Sequence, residues 1–544
     1  LCGVGACGNK LTKLSEGEGP LASDAKAVLA ALKSAGVPPG RVSVYQSPDI
    51  TCSRLVCAIV AVQEQRIVGL YVRGKDTIDL KALAPCSKLR RLRLERFLRG
   101  KLVLPSKGLA GLISADFSQN PGLRSVEGAG GLPSLDKLEL GYTGLESLEL
   151  ANLPKLRTLG IGWSKLKRIS LRKVGVRQLD TNTMQTVESL ELTELPNLST
   201  VYARDNRLKK LSLRKLPKLS VLDVRGNLLK DLSVSNLPAL RQLVAAKNKL
   251  REVELRALPA LKQLDLRGNS LERLPKIDPK VSLDVLYLTR NKLANLRGVE
   301  AFNPKALWVG GNKLGSLALD DGQPAAALQT RRLIADSNAL TSLKGLRAFP
   351  ELRYLAVYRN KLTTTAGIEG APKLEYIVLD QNKLTALAGV GALTGLTILK
   401  ANRNALTSLA GPEKLDKLHK LHVAHNQLTT LAPLSKARLE KLDTLMAQHN
   451  KLGGQPELFG PQGKRRPKIK HYDLRHNVIT GVAAGLLYYG LTTRMGFRGS
   501  SVSGGGRYRG TSGGGSRRYG GSRGFRSSGT RYSGGGGYHY GRSS

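Results

Sequence analysis

The chain has 544 residues, 41% hydrophobic but only 5% aromatic, and a formal charge of +45. Apolar content is ample for a folded core, and leucine must supply most of the burial, which points to a repetitive interior. All five cysteines (Cys2, Cys7, Cys52, Cys57, Cys86) fall within the first 86 residues, excluding a disulfide framework for the bulk, while the charge favours anionic partners.

In chain order, residues 1–22 read as a flexible N-terminus. "VGAC" (Val4–Cys7) before Gly8 resembles the bacterial lipobox, which implies Cys7 as a lipid-bearing residue. "SDAKAVLAALKSAG" (23–36) predicts a helix with Ser23 as N-cap, Val28, Leu29 and Leu32 apolar, and Gly36 at its exit. It opens a cap over 23–88.

Residues 89–480 are repetitive. "LSVLDVRGNLL", "LRQLVAAKNKL", "LKQLDLRGNSL" and "LRYLAVYRNKL" share the frame L-x-x-L-x-L-x-x-N-x-L. Its asparagines recur from Asn206 to Asn477, mostly 21–22 residues apart. Looser copies at Ser164, Thr143, Asn120 and Phe97 extend the series to about eighteen units. Fourth and sixth positions alternate with exposed ones, as a short strand with one buried face requires. The asparagine, with donor and acceptor on a short side chain, can satisfy backbone groups where the chain leaves the strand. Stacked units then bury a leucine core that none could bury alone.

This frame resembles the leucine-rich-repeat family over roughly residues 66–480. The unit length resembles the internalin and phosphatase-regulator subclasses. The resemblance implies an α/β solenoid dominated by β: a right-handed horseshoe with a parallel concave sheet and short turns or 3₁₀ pieces on the convex side. "ITCSRLVCAIVAVQEQRIVGLYV" (50–72) resembles the N-terminal cap of extracellular members, lacking the usual tryptophan between its cysteines. That leaves two readings open, a Cys52–Cys57 disulfide or reduced thiols.

Exposed strand positions should line the concave wall, where such solenoids present themselves to partners. They are aromatic and charged: Tyr202, Arg225, Arg267, Tyr287, Trp308, Tyr354, Tyr358, Tyr376, Arg403, His422 and His425. Rigid amphipathic rings beside arginine and aspartate suit protein hot spots. The slot before the ladder asparagine holds His425, His449 and His476 in successive units. Strands about 4.8 Å apart would bring these rings together, but an open wall lacks the enclosure a metal site needs, so no metal is expected.

Asn477–Thr493 is uncharged; residues 481–495 read either as an apolar cap or as part of a short membrane segment. Residues 496–544 hold 18 glycines, nine arginines, five tyrosines and no acid, which predicts a disordered tail. There Arg507, Arg509, Arg517, Arg518, Arg523 and Arg526 are the candidate anion-binding residues. No nucleotide, zinc-protease or serine-hydrolase motif occurs, so neither enzyme activity, cofactor nor small-molecule substrate is expected. The reading is a protein-binding scaffold whose basic tail adds avidity toward RNA, acidic polysaccharide or a membrane surface. The alternatives are an RNA-associated protein working through its tail and an envelope-anchored adhesin. A cell-envelope or secreted location is favoured over an intracellular one.

Overall fold

The structure, a computed structural model, describes residues 6–479 except 35–36, 38–41, 46–56, 64–65, 74–79, 97–98, 106–108, 183, 320–326, 436–438 and 455–468. The tail arginines, the 481–495 segment, Phe97 and Cys52 lie outside the described residues. Among the described residues, no helix is long and apolar enough to cross a membrane.

The N-terminal region departs from the flexible segment expected for 1–22, because helix α1 occupies Ala6–Glu16. Leu11 is fully buried and Leu14 half-buried, and α1 packs on helix α2, Pro20–Ser34. The first turn of α1 includes Cys7. Helix α2 begins before Ser23, which is therefore inside the helix and no N-cap; its N–H donates to Gly19 O at 3.2 Å. Pro20 explains the earlier start, since its fixed φ suits a first helical position and it has no N–H to leave unpaired.

An ion pair between fully buried Asp24 and partly exposed Arg66 fastens α2 to the solenoid. Asp24 is fully buried and accepts from Arg66 Nε at 2.8 Å, Arg66 Nη2 at 2.9 Å and Ile67 N at 3.0 Å. Beside it, buried Cys86 is a free thiol whose pKa is pushed up to about 12, chiefly by desolvation. The strand Arg66–Arg73 pairs antiparallel with Cys57–Gln63 and parallel with Arg91–Glu95, so a hairpin hands the chain to the repeats.

From there the fold is a leucine-rich-repeat solenoid. A seven-stranded sheet ends at Thr158–Gly160, and a fourteen-stranded parallel sheet runs from Gln178–Asp180 to His471–Asp473. Fourth and sixth positions are buried as expected; Leu264 and Leu266 are both fully buried.

The ladder asparagines stitch neighbouring units. Asn248 Nδ2 donates to Val224 O of the preceding unit at 3.0 Å and to its own Ala245 O at 3.1 Å. Its Oδ1 accepts from Leu229 N at 3.1 Å. Asn269, Asn291, Asn360, Asn426 and Asn450 repeat this geometry. The residue before the asparagine is left-handed throughout this series, at φ 54° for Lys247 and 68° for Gly226.

The opposite wall is of two kinds. C-terminal units carry the expected 3₁₀ turns, as at Leu346–Ala348, Ile368–Gly370 and Val390–Ala392. They are entered through glycines of positive φ; at Gly345 a Cβ would stand 2.3 Å from Ala318 N. Residues 147–278 instead form further parallel strands, including Ser147–Leu153, Arg168–Val174, Ser189–Thr193 and Lys210–Arg214. This corrects the expectation of turns alone, and the cause is local: "SLELANL", "RISLRKV" and "KLSLR" alternate with a period of two. Charges here pair with the equivalent position one unit away, as in Lys167–Glu146 at 3.0 Å and Lys209–Glu188 at 2.9 Å.

Candidate functional site

Side chains on the open face of the long sheet form columns, because each three-residue strand pairs in register with the next. The middle column of outward residues runs Tyr287, Trp308, Ile334, Ala356, Val378, Lys400, His422, Met446, Asp473. Tyr354 and Tyr376 pair in the column beside it.

These residues make two aromatic ladders capped by cations. The Arg267 guanidinium lies 4.7 Å over the Tyr287 ring, and Tyr287 meets Trp308 at 5.8 Å with planes tilted by 42°. Arg332 lies 4.6 Å over Tyr354, Tyr354 stacks on Tyr376 at 4.7 Å, and Lys400 lies 5.6 Å over Tyr376. Between them Ile334, Ala356 and Val378 are buried under Trp308, Tyr354, Tyr358 and Tyr376. A strand face open to water would ordinarily carry polar groups there. Here half-buried rings shield an apolar floor. Burial raises the pKa of Tyr354, and a hydrogen bond to Tyr376 is the main cause raising that of Lys400.

Two other expected residues, and Arg267 with them, are engaged locally. Tyr202 lies under Arg204 at 4.9 Å. Arg225 and Arg267 each fold back on the aspartate two residues earlier, Asp223 and Asp265, both at 2.6 Å. The Asp223 bond raises the Arg225 pKa. These cations complete ion pairs within the sheet.

Arg403, His425, His449 and His476 stand off the strands, in the left-handed slot before the asparagine, with φ between 55° and 58°. Histidine is among the residues enriched in that region. His425 stacks on His449 at 4.3 Å and His449 on His476 at 4.1 Å, with interplanar angles of 10° and 11°. Imidazole lone pairs lie in the ring plane, so stacked rings hold them parallel and cannot aim them at one ion. Among the described residues no group of three or more His, Cys, Asp or Glu is placed to hold a metal. Tyr142 and Trp163 fill the same slot further up the chain and stack at 5.9 Å.

Next to the aromatic strip is a cavity of about 260 Å³, lined in part by Asp380, Asn402, Arg403, His422, Met446 and Gln448. Burial lowers the His422 pKa, with help from Lys400 and Lys420. Burial also holds the Asp380 carboxyl above its ordinary value, against the Asn402 bonds and the charges of Lys400 and Arg403. The structure thus brings together Tyr287 with Trp308, Tyr354 with Tyr358 and Tyr376, and Arg403 with His422 and His425. Tyr202 and Arg225 stand several strands away.

Sequence reasoning missed Ile334, Ala356 and Val378 on the strip, and Asn402, Met446 and Gln448 in the cavity. A search for aromatic and charged residues unit by unit passes over them. Reading one slot down successive units would have found the apolar run.

No family model and no curated protein matches this chain. Among solved structures it is similar to YopM from Yersinia enterocolitica, at 24% identity over 65% of this chain and 86% of that one, with TM-score 0.34. It is also similar to an internalin of Listeria monocytogenes, at 16% identity over 76% and 82% of the two chains, with TM-score 0.27. A leucine-rich-repeat protein of Leptospira interrogans matches at 21% identity over 75% and 89%, with TM-score 0.32. Scores this low carry no residue correspondence.

Proposed function

We propose that this chain is a non-enzymatic scaffold that binds a protein partner on the open face of its long sheet. The observation that carries this reading is the apolar floor of Ile334, Ala356 and Val378 under half-buried Trp308, Tyr354, Tyr358 and Tyr376. Rigid rings over a dry floor, rimmed by Arg332 and Lys400, have the composition of an interface hot spot. Tyr287, Arg267, Arg403, His422 and His425 extend this face along the sheet. The basic tail, including Arg507 to Arg526, adds electrostatic avidity once the face is engaged.

The test is a pull-down comparing wild type with Trp308→Ala/Tyr354→Ala. Loss of the bound partner is expected, since removing two such anchors costs about 2 kcal/mol each or more. An unchanged partner set would place binding elsewhere.

A further inference from the structure

The turns at the ladder asparagines carry a row of basic side chains along one edge of the solenoid. In six successive turns, from Asn360 to Asn477, a residue flanking the asparagine is basic. Arg359 and Lys361 open the row, and Lys383 and Arg403 continue it. His425, His449 and His476 end it, with Lys451 beside His449. All of these side chains are exposed. Backbone bonds between turns set their pitch: Arg359 N donates to Asp380 O at 2.9 Å, Arg403 N to Ala424 O at 2.9 Å and His449 N to Arg475 O at 3.0 Å. On the other shoulder Lys383 N donates to Leu362 O at 2.9 Å. The imidazole rings follow one another at 4.3 and 4.1 Å, close to the strand spacing of about 4.8 Å.

This row is left without neutralising partners. On the opposite wall Lys167, Lys209 and Lys215 each meet a glutamate one turn away, at 3.0, 2.9 and 2.9 Å. On the open face Arg225, Arg267 and Arg475 fold onto aspartates. Lys361, Lys383, Arg403 and Lys451 make no ion pair among the described residues. Asp380 feels Arg403 and Asp473 feels His476, but Asn402 holds the first carboxylate and Arg475 the second. Like charges at this pitch repel one another, and an external anion would relieve that.

Form narrows the anion. A single file of evenly spaced cations suits a linear polymer better than a lone phosphate or sulfate. His449 is covered on both faces by its neighbours, so the row offers charge and ring edges, without the open ring faces on which the bases of a single strand stack. Along each strand of a duplex the phosphates advance by about 3.4 Å and wind away from a single file. A pyranose, by contrast, advances a linear polysaccharide by a distance close to one turn of this solenoid. One acidic sugar can then meet one basic turn.

We propose that the asparagine edge from Arg359 to His476 binds a linear acidic polysaccharide, one acidic sugar to each turn. The site goes beyond the protein-binding face and does not depend on it. The full chain is titrated by calorimetry with an oligogalacturonate, its neutral methyl ester, a heparin oligosaccharide, oligothymidylate, a DNA duplex and phosphatidylserine vesicles. One of the two acidic glycans should bind at least ten-fold more tightly than the ester, the nucleic acids or the vesicles, and which one does so tells whether the acid is a carboxylate or a sulfate. Lys361→Gln/Lys383→Gln/Arg403→Asn should weaken that binding ten-fold or more and make it less sensitive to salt. Lys167→Gln/Lys209→Gln/Lys215→Gln removes as many cations from the opposite wall and should stay within two-fold. Both variants keep the basic tail, and unchanged urea midpoints will report intact folds. The His449 ring, which faces His425, His476, Asp473 and Arg475, should titrate at higher pH in the glycan complex, because a neighbouring anion favours the protonated form.

Failure of both glycans to bind, tighter binding of a nucleic acid or of vesicles, equal losses in the two triple variants, or an unmoved His449 titration would overturn the proposal. None of these outcomes bears on the Trp308→Ala/Tyr354→Ala pull-down, which tests the open face alone.

Discussion

His449 and His476 belong to consecutive turns of the solenoid, yet their rings stack at 4.1 Å with an angle of 11° between planes. His449 also stacks on His425, and although it is exposed its pKa is lowered by desolvation between its neighbours and then by the charge those rings carry when protonated. A histidine with a lower pKa folded than unfolded binds fewer protons in the native state. Its neutral form therefore supports the fold above the ordinary value of 6.5, and stability falls as the pH drops below it. Urea midpoints between pH 7.5 and 5 should decline. His449→Asn, which tolerates the left-handed backbone, should flatten that slope; an equal slope in the variant would exclude the column as its source.

Asp24 and Arg66 offer a second prediction. Asp24 is fully buried and accepts three bonds from Arg66 and Ile67. Removing Arg66 strands a fully buried carboxylate, so Arg66→Ala should cost about 3–5 kcal/mol in chemical denaturation. Asp24→Ala should be milder, because Arg66 is 22% exposed and can turn to water. The double variant should cost less than the sum, because neither charge is then left alone.

The asparagine ladder provides a third. Asn248→Ala would leave Leu229 N without its partner in a buried seam and take one of two side-chain donors from Val224 O and Ala245 O, which keep Asn227 and Asn269. A loss of about 2 kcal/mol or more is expected, read as a lower urea midpoint. Lys247→Ala, on the exposed neighbour, should be near neutral, within about 0.5 kcal/mol, since lysine and alanine share the Cβ that strains the backbone at φ 54°.

A fourth concerns the aromatic strip. Tyr376→Ala would uncover Val378 and Ala356 and remove the ring between Tyr354 and Lys400. Partner binding measured by calorimetry should weaken by ten-fold or more, while Tyr202→Ala, several strands away, should leave it within two-fold. Equal losses in both would spread the energy along the sheet and argue against a local hot spot.

The repeat frame was legible because its cause is periodic: every buried slot and every ladder asparagine recurs at nearly constant spacing. The further strands over 147–278, which form two sheets, were legible in principle, since "RISLRKV" and "SLELANL" alternate as strands do, but the shared leucine frame marks the first strand of each unit alone. Helix α1 was obscured because Leu11 and Leu14 find their burial in α2 and a distant strand rather than in their own segment. The cavity was not legible at all. It depends on Asn402, Gln448 and Met446, ordinary residues whose meaning comes from lying one turn apart around His422.

The seven-stranded sheet stops at Thr158–Gly160 and the long sheet starts at Gln178–Asp180, leaving a seam in the main ladder among the described residues. On the other wall, the four strands from Ser147–Leu153 to Lys210–Arg214 run unbroken past that seam. They act as a splint across a fracture. Repeat arrays come apart where coupling between neighbours is weakest, so the mechanical continuity of the solenoid leans at this point on the opposite wall.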